Sequence, residues 1–451
     1  MIVRTRHLSL LSALALLGFL ISCKPANTSK NIDSRPNVIL IMADDLGYET
    51  IGANGGNSYQ TPEIDRLASN GMRFEHCYAQ PLCTPTRVQL MTGIYNVRNY
   101  IRFGLLDPGQ TTFGHLFQKA GYATCIVGKW QLGKDPASPQ HAGFDKHCLW
   151  QVRGGRMDST GRDTRYSIPI LEIDGKVITY GDADYGPEVV SQYGLQFMEK
   201  SLEKGKPFLL YYPMILTHCP FSPTPASPEW NSGDTTTMTY KGKVHYFEDM
   251  VAQMDQIVGG IISKLEELGI QNNTLVIFTG DNGTDVPVIS IMNDREIAGA
   301  KGKSTDAGTR VPLIVQWPDE IKPGSINHDL IDFTDFLPTI SEAANIEVDS
   351  LDLDGRSFLP QLCGEKGNPR DWIYSWYSRS GEVSKARVFV RTHRYKLYDS
   401  GEFYEIPLDY EEQNPLEILK LDADTKEVHQ ALDEVLEHYK NRRLDKVQES
   451  D

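Results

Sequence analysis

An α/β fold with a doubly wound, mainly parallel central sheet, followed by a small C-terminal antiparallel sheet plus helix, is predicted by three features of the sequence. Short apolar runs stop abruptly at polar clusters. Stretches of helical period lie between them. The texture changes after about residue 345. Alternation of strands and helices favours a parallel sheet covered on both faces, and strands buried on both faces read as continuous apolar runs.

Four such runs carry the prediction. Asn37–Met42 stops at Asp44 and Asp45. Tyr122–Val127 leads into Gly128, Lys129, Trp130 and Gln131. Phe208–Tyr212 precedes Thr217 and His218. Leu275–Phe278 stops at Thr279, Gly280, Asp281 and Asn282. Open α/β sheets bind ligands beyond the carboxyl ends of their strands, and all four polar clusters fall there. Between the strands, Thr61 before Pro62 reads as a helix N-cap with Gly71 as a stop. Thr112–Lys119 reads as a second helix, ended by Gly121. In Phe247–Leu268 the residues Val251, Met254, Val258, Ile261, Leu265 and Leu268 recur with the spacing of one buried helical face. Toward the C-terminus, Trp372–Tyr377, Ala386–Arg391, Tyr395–Tyr398 and Glu402–Glu405 read as short strands joined by turns. A charged helix over about 425–443 follows them.

The expected organisation is a leader over 1–22, a tether over 23–35, a main α/β domain over 36–345 and a C-terminal α+β subdomain over 346–451. Arg4, Arg6 and His7 precede the apolar stretch Leu8–Ile21, the pattern of a secretory signal. The ending Leu20-Ile21-Ser22-Cys23 resembles a bacterial lipobox. That implies a lipid on Cys23, a membrane held through the N-terminal anchor, and a place in the bacterial cell envelope as a periplasmic or surface lipoprotein. No later stretch approaches the ~20 apolar residues of a membrane span. The 45 Lys+Arg against 60 Asp+Glu leave a net charge of −15. This argues against nucleic acid as a partner, which needs a basic surface, but not against an anionic substrate met by a local cationic pocket. Seven cysteines are present. With Cys23 and Cys83 set aside, Cys77, Cys125, Cys148, Cys219 and Cys363 form an odd set, so at least one is unpaired within the chain. No Cys-x-x-Cys spacing suggests zinc.

Asp44, Asp45, Asp281 and Asn282 offer only oxygen. Carboxylate-rich oxygen sites suit hard cations, and flexible, higher coordination suits calcium. Each dipeptide alone also reads as a turn; their joint placement at strand ends favours one Ca2+ per chain. Residues 88–93 are expected to begin a helix, which puts Cys83 near a helix N-terminus that favours an anionic oxygen. Arg87, Lys129 and Lys301 are candidate cations for an anionic substrate, with Lys303 the competing choice for Lys301. His218 can donate a proton near neutral pH. Gly302-Lys303-Ser304 is not a nucleotide P-loop, because the required glycine at 297 is Ile297.

The run Cys83-Thr84-Pro85-Thr86-Arg87, followed by Leu90-Met91-Thr92-Gly93, resembles the signature of the formylglycine-dependent sulfatases of the alkaline-phosphatase superfamily. The resemblance spans roughly residues 36 to 420, and Gly308-Thr309-Arg310-Val311-Pro312 and Arg391–Leu397 add to it. It implies a maturation enzyme that reads Cys-x-Pro-x-Arg and oxidises Cys83 to formylglycine. It implies a hydrated aldehyde as nucleophile, with an oxygen at position 83 completing the metal shell. It further implies a sulfate clamp of Arg87, Lys129 and Lys301, and His218 as acid for the leaving alcohol. One departure touches the chemistry. The family usually has histidine where this chain has Gln131, and glutamine can hydrogen-bond but cannot act as a base; losing a general base costs ~10²–10⁴-fold. Thr86, where serine or alanine is usual, and Asp306-Ala307-Gly308, where Glu-Gly-Gly is common, are expected to leave the chemistry alone.

The function so implied is an exported sulfatase, with a sulfated carbohydrate as substrate. A phosphatase or phosphodiesterase of the same superfold is the first alternative; such sites commonly carry Asp-His-Gly where this chain has Asp281-Asn282-Gly283. A non-catalytic sulfated-glycan binding protein, suggested by Gln131, is the second. Arg153, Arg156, Arg162 and Arg165 read either as a grip on a further anionic group or as a solvated loop.

Overall fold

The computed structural model describes residues 35–230 and 240–443. The expected leader, Cys23 and all of the tether but Arg35 lie outside the described residues. A ten-stranded sheet forms the centre. Its order is Ser325–Asp332, Met72–Tyr78, Arg310–Gln316, Thr274–Gly280, Asn37–Ala43, Phe208–Pro213, Ala123–Lys129, Lys146–Trp150, Ile170–Ile173 and Lys176–Thr179. The five strands from Thr274–Gly280 to Lys146–Trp150 all run parallel. Antiparallel pairings appear only toward the flanks. The four predicted runs are four adjacent strands of this parallel block, so their carboxyl ends share one edge.

Side chains alternate across each strand, and both faces are covered. Val38, Leu40 and Met42 join one apolar cluster with Val88, Leu90, Phe113, Phe117, Phe336 and Leu337. Ile39, Ile41 and Ala43 join the other with Ile64, Leu67, Val190, Met250, Met254 and Val258. Helices Cys83–Thr92, Phe113–Lys119 and Phe336–Ala343 thus cover one face, and Pro62–Ser69, Gly186–Glu203 and Tyr246–Glu267 the other. The predicted helical face of Phe247–Leu268 is buried at every named position except Leu268, which is only partly so.

The small antiparallel sheet is Ile373–Tyr377, Arg387–Arg391, Tyr395–Tyr398 and Phe403–Glu405, followed by the helix Ala423–Lys440. Tyr374, Trp376, Val390, Leu397, Leu432 and Leu436 extend the first apolar cluster rather than forming a core of their own. Arg391 pairs with Asp306, which fastens this sheet to the short helix Asp306–Thr309 before Arg310–Gln316. Cys77, Cys125, Cys148, Cys219 and Cys363 are all free thiols. No helix among the described residues is long and apolar enough to cross a membrane.

Two local readings are corrected. The helix expected from residue 88 starts at Cys83 itself. Thr61 does not cap the Pro62 helix. Its hydroxyl donates to Asp65 and accepts from the Gly52 amide, while Asp255 of the Tyr246–Glu267 helix accepts from the amides of Glu63 (3.1 Å) and Ile64 (2.8 Å). Gly71 follows the C-cap Asn70 directly and stands as the stop of that helix, which closes at Ser69.

Candidate active site

Helix Cys83–Thr92 begins directly at the candidate nucleophile, and Pro85 in its first turn forfeits no intrahelical bond. Thr86 holds the approach to that turn. Its hydroxyl accepts from the Gln80 amide at 3.0 Å and donates to the Leu82 carbonyl at 2.9 Å, a structural use for the departure at this position. Cys83 and Arg87 are one turn apart and share a helix face.

Around Cys83 the four strand ends converge. Asp44, Cys83 and Asp281 each bring a donor atom within 4.8 Å of one another, as do Asp44, Asp45 and His218. Asp45 takes a left-handed φ of 62°, which aspartate tolerates better than most residues. Its amide donates to Asp281 Oδ1 at 3.0 Å and its Oδ1 accepts from Asn282 Nδ2 at 2.9 Å. Lys129 Nζ lies 2.7 Å from Asp44 Oδ2, and Lys301 Nζ 2.5 Å from Asp45 Oδ2. Lys301 arrives on a loop whose Gly302 amide donates to the Pro81 carbonyl, two residues before the nucleophile. Lys303 is exposed, which decides between the two lysines. Gly283 lets this loop close on the site, because a Cβ there would fall 1.9 Å from the Ala307 carbonyl oxygen.

Arg87 is fully buried, and its Nη2 donates to the carbonyls of Lys129 and Trp130. It fastens the nucleophile helix to the end of the neighbouring strand, while its Nε and Nη1 have no hydrogen-bond partner. Gln131 reaches the Cys83 side chain. It has a left-handed φ of 46°, and its Oε1 accepts from Cys83 Sγ at 3.7 Å. Gln131 also lines a cavity of about 820 Å³ shared with Arg102, Phe103, Lys134, His141 and Arg153. His218 Nε2 points to Asp45 Oδ2 at 3.7 Å.

The arginine cluster divides: Arg153 is exposed and lines the cavity, whereas Arg156 and Arg162 are half-buried and Arg165 is buried. Arg153 pairs with Glu172, Arg162 with Asp158, and Arg156 lies 3.6 Å from Asp163 and over the Tyr240 ring. Arg165 is 1% exposed and donates to His218. Nothing in the linear sequence ties residue 165 to residue 218, so this contact was missed.

The electrostatics call for a ligand. Burial, together with Asp44, pushes Asp281 well above the usual carboxylate range. Burial also raises Asp45, against the pull of Lys301. Burial lifts the Cys83 thiol, and Asp281 and Asp44 lift it further while Lys129 opposes. The thiol is therefore held protonated, and a neutral, soft sulfur is a poor ligand for a hard cation. Burial pushes His218 well below its usual value, and Lys301, Lys129 and Arg165 push in the same direction. Burial pulls Lys301 down, but the Asp45 carboxylate beside it lifts it on balance. Three carboxylates face two ammonium groups with Arg87 behind them, so the set has no surplus positive charge for an anion until a divalent cation is added. Asp44 Oδ1 and Asn282 Oδ1 are buried oxygens without a partner. Orphaned buried acceptors are costly, and this oxygen donor set fits a hard divalent ion.

Comparison with known proteins agrees with this geometry. A family model described as Sulfatase matches residues 36–346. The chain belongs to the sulfatase family. A second model, N-sulphoglucosamine sulphohydrolase, C-terminal, matches residues 303–447. Arylsulfatase A of Bos taurus is 30% identical over 397 residues, covering 81% of this chain and 75% of the relative. N-acetylglucosamine-6-O-sulfatase of Bacteroides thetaiotaomicron is 27% identical over 545 residues, covering 98% and 92%. Among solved structures, BT4656 in complex with its substrate D-glucosamine-2-N,6-O-disulfate superposes with a TM-score of 0.72 at 24% identity, covering 91% of this chain and 100% of that one. The protein is a sulfuric ester hydrolase with the fold of this family.

Proposed function

We propose that this sulfatase removes sulfate from a sulfated carbohydrate, with a formylglycine made from Cys83 by a maturation enzyme and with one bound calcium. The observation that carries the reading is the convergence on Cys83 of Asp44, Asp45, Lys129, His218, Asp281, Asn282 and Lys301 from five separate segments. Calcium is supported by the oxygen-only set Asp44, Asp45, Asp281 and Asn282 with its two orphaned acceptors; bound there, it would add positive charge where the sulfuryl oxygens gather it. Oxidation of Cys83 is supported by the sequence around it and by a burial that leaves the thiol inert; the hydrated aldehyde would supply the attacking oxygen.

The residues of the chain then divide the work. Lys129 and Lys301 hold the non-bridging oxygens of the sulfate. The N-terminus of helix Cys83–Thr92 favours negative charge at residue 83. Arg87 fixes that helix against the strand carrying Lys129. His218 is the hydrogen donor for the leaving oxygen. Gln131 orients the group at 83 and takes no proton from it; Asp44 and Asp281 are carboxylates within 4.8 Å of that atom. A carbohydrate substrate is supported by the cavity beside Gln131, whose lining mixes the aromatic face of Phe103 with Arg102 and Lys134, and by the sulfated-sugar sulfatases among the relatives. Export as a lipid-anchored protein of the cell envelope rests on the N-terminal sequence.

Mass spectrometry of the Cys83 peptide from native-host protein is expected to show an aldehyde, and metal analysis is expected to find calcium. Release of sulfate from a panel of sulfated saccharides tests the activity. An intact thiol in active protein, or bound zinc with phosphate-ester turnover, would overturn the reading.

A further inference from the structure

We propose that Arg165 is a positioning residue that sets the tautomer of His218, holding the ring proton on Nε2 so that it points into the site. This rests on the reading of His218 as the hydrogen donor for the leaving oxygen.

His218 Nδ1 has two neighbours of opposite character. Arg165 Nη1, 2.8 Å away, can only donate. The Cys219 carbonyl oxygen, 2.6 Å away, can only accept. An imidazole nitrogen cannot satisfy both. If Nδ1 carries the proton, it donates to Cys219 and opposes an N–H of Arg165. If Nδ1 is bare, it accepts from Arg165, the carbonyl needs another donor, and the two lone pairs, 2.6 Å apart, need a shared cation between them. Arg165 supplies that donor as well, since the same Nη1 lies 2.8 Å from the Cys219 oxygen. The guanidinium therefore serves both groups only when Nδ1 is bare.

The far side of the ring agrees. Nε2 faces Asp45 Oδ2 at 3.7 Å, an acceptor that suits an N–H and opposes a lone pair. Arg165 is itself tightly held. Asp163 Oδ1 accepts from its Nε at 3.0 Å, and its guanidinium lies over the Trp150 ring, 4.2 Å from the centroid. Trp150 Nε1 donates to Thr164 Oγ1 at 3.0 Å. Next along, Tyr166 donates its hydroxyl to the His218 carbonyl. One segment, 163–166, thus fixes both the backbone and the ring of His218. No atom is transferred by this arrangement. It decides which ring nitrogen presents a hydrogen as the oxygen at residue 83 bonds to sulfur, the ester S–O bond breaks, and its electron pair passes to the bridging oxygen, which then takes a proton from solvent. A neutral imidazole can stabilise such charge by hydrogen bonding. Without Arg165, the Cys219 carbonyl would draw the proton to Nδ1 and turn a lone pair toward the leaving oxygen.

Two measurements test this. In full-length, metal-loaded protein with nitrogen-15 histidine, assigned with His218→Gln, the His218 ring should show its proton on Nε2. A proton on Nδ1 in the unsubstituted protein would overturn the proposal. In kinetics, Arg165→Met should lower kcat ~10²-fold on a sugar sulfate, whose poor leaving oxygen needs the donor, and under ~10-fold on 4-nitrophenyl sulfate, whose leaving oxygen does not. Arg165→Lys, which keeps a donor, should recover much of the loss. Equal losses on both substrates would reduce Arg165 to a packing role and overturn the proposal. If Arg165→Met fails to fold, the ring spectrum of the unsubstituted protein still decides. A protein that turns over no sulfate ester would sink the sulfatase reading while leaving the tautomer measurable.

Discussion

Helix Cys83–Thr92 touches two buried charge clusters, and they differ in completeness. At its N-terminal end lie Asp44, Asp45, Asp281, Lys129 and Lys301. Further along it, Gln89 donates to Asp332 at 2.7 Å, in a second cluster with Asp335, Thr334 and Arg370. There Arg370 donates to Asp335, Tyr95, Thr334 and the Asp354 carbonyl, and Asp335 also accepts from the Arg356 amide. None of these side chains leaves a buried polar atom unpartnered, whereas Asp44, Asn282 and Arg87 in the first cluster do. Both clusters bury carboxylates, and burial lifts Asp332 to about 6 even with Arg370 beside it. The contrast teaches that burial of charge does not mark function. A closed network holds the fold, and an open one awaits a ligand.

The largest expected effect is at the open cluster. Cys83→Ala should cut sulfate-ester turnover on the order of 10⁴-fold or more, with a melting temperature close to that of the parent. A large loss of stability would mean that the two clusters do not differ in kind. The mirror experiment is Asp335→Ala, which strands the Arg370 charge and should cost about 3–5 kcal/mol of stability by denaturant titration. Its kcat, measured in the folded protein, should change far less than for Cys83→Ala.

The linear sequence revealed the open cluster better than the closed one. Strands buried on both faces appear as continuous apolar runs, so Asp44, Lys129, His218 and Asp281 could be placed at strand ends without coordinates. The flanking strands Met72–Tyr78 and Ser325–Asp332 mix polar and apolar residues on a half-covered part of the sheet and gave no such signal. The pairing of Gln89 with Asp332 spans 243 residues, the capping of Ile64 by Asp255 spans 191, and the contact of Arg165 with His218 spans 53. None of these leaves a periodicity or a motif behind. Arg165 was grouped with its neighbours by charge, although its partners are a ring and a carbonyl from another segment.

Metal removal sharpens the contrast through pH. In metal-free protein, Asp45 and Asp281 titrate above the ordinary value of 3.8 because of burial and repulsion from Asp44. Their contribution to stability is therefore present below that value and lost as pH rises through their folded values. Metal binding needs the same carboxylates ionised, so the stabilisation it brings grows over the same rise. Melting temperatures with and without chelator should diverge as pH increases. A gap that is constant with pH would separate the metal from these aspartates. The smallest expected effect is a gain: Gln131→His should raise kcat by ~10-fold or more by adding a base beside residue 83, with little change in melting temperature. An unchanged kcat would show that proton removal there does not limit turnover.

Every residue of Cys83–Thr92 is buried. Arg87 is tied to two carbonyls of the next strand, and Thr86 is knotted into the preceding turn. The second protein proposed to oxidise Cys83 would find no handle on this stretch once the sheet has formed. Under the proposed maturation of Cys83, topology places that reaction before the sheet forms. On that proposal, a molecule that folds with its sulfur untouched would be a terminal product rather than a precursor awaiting activation.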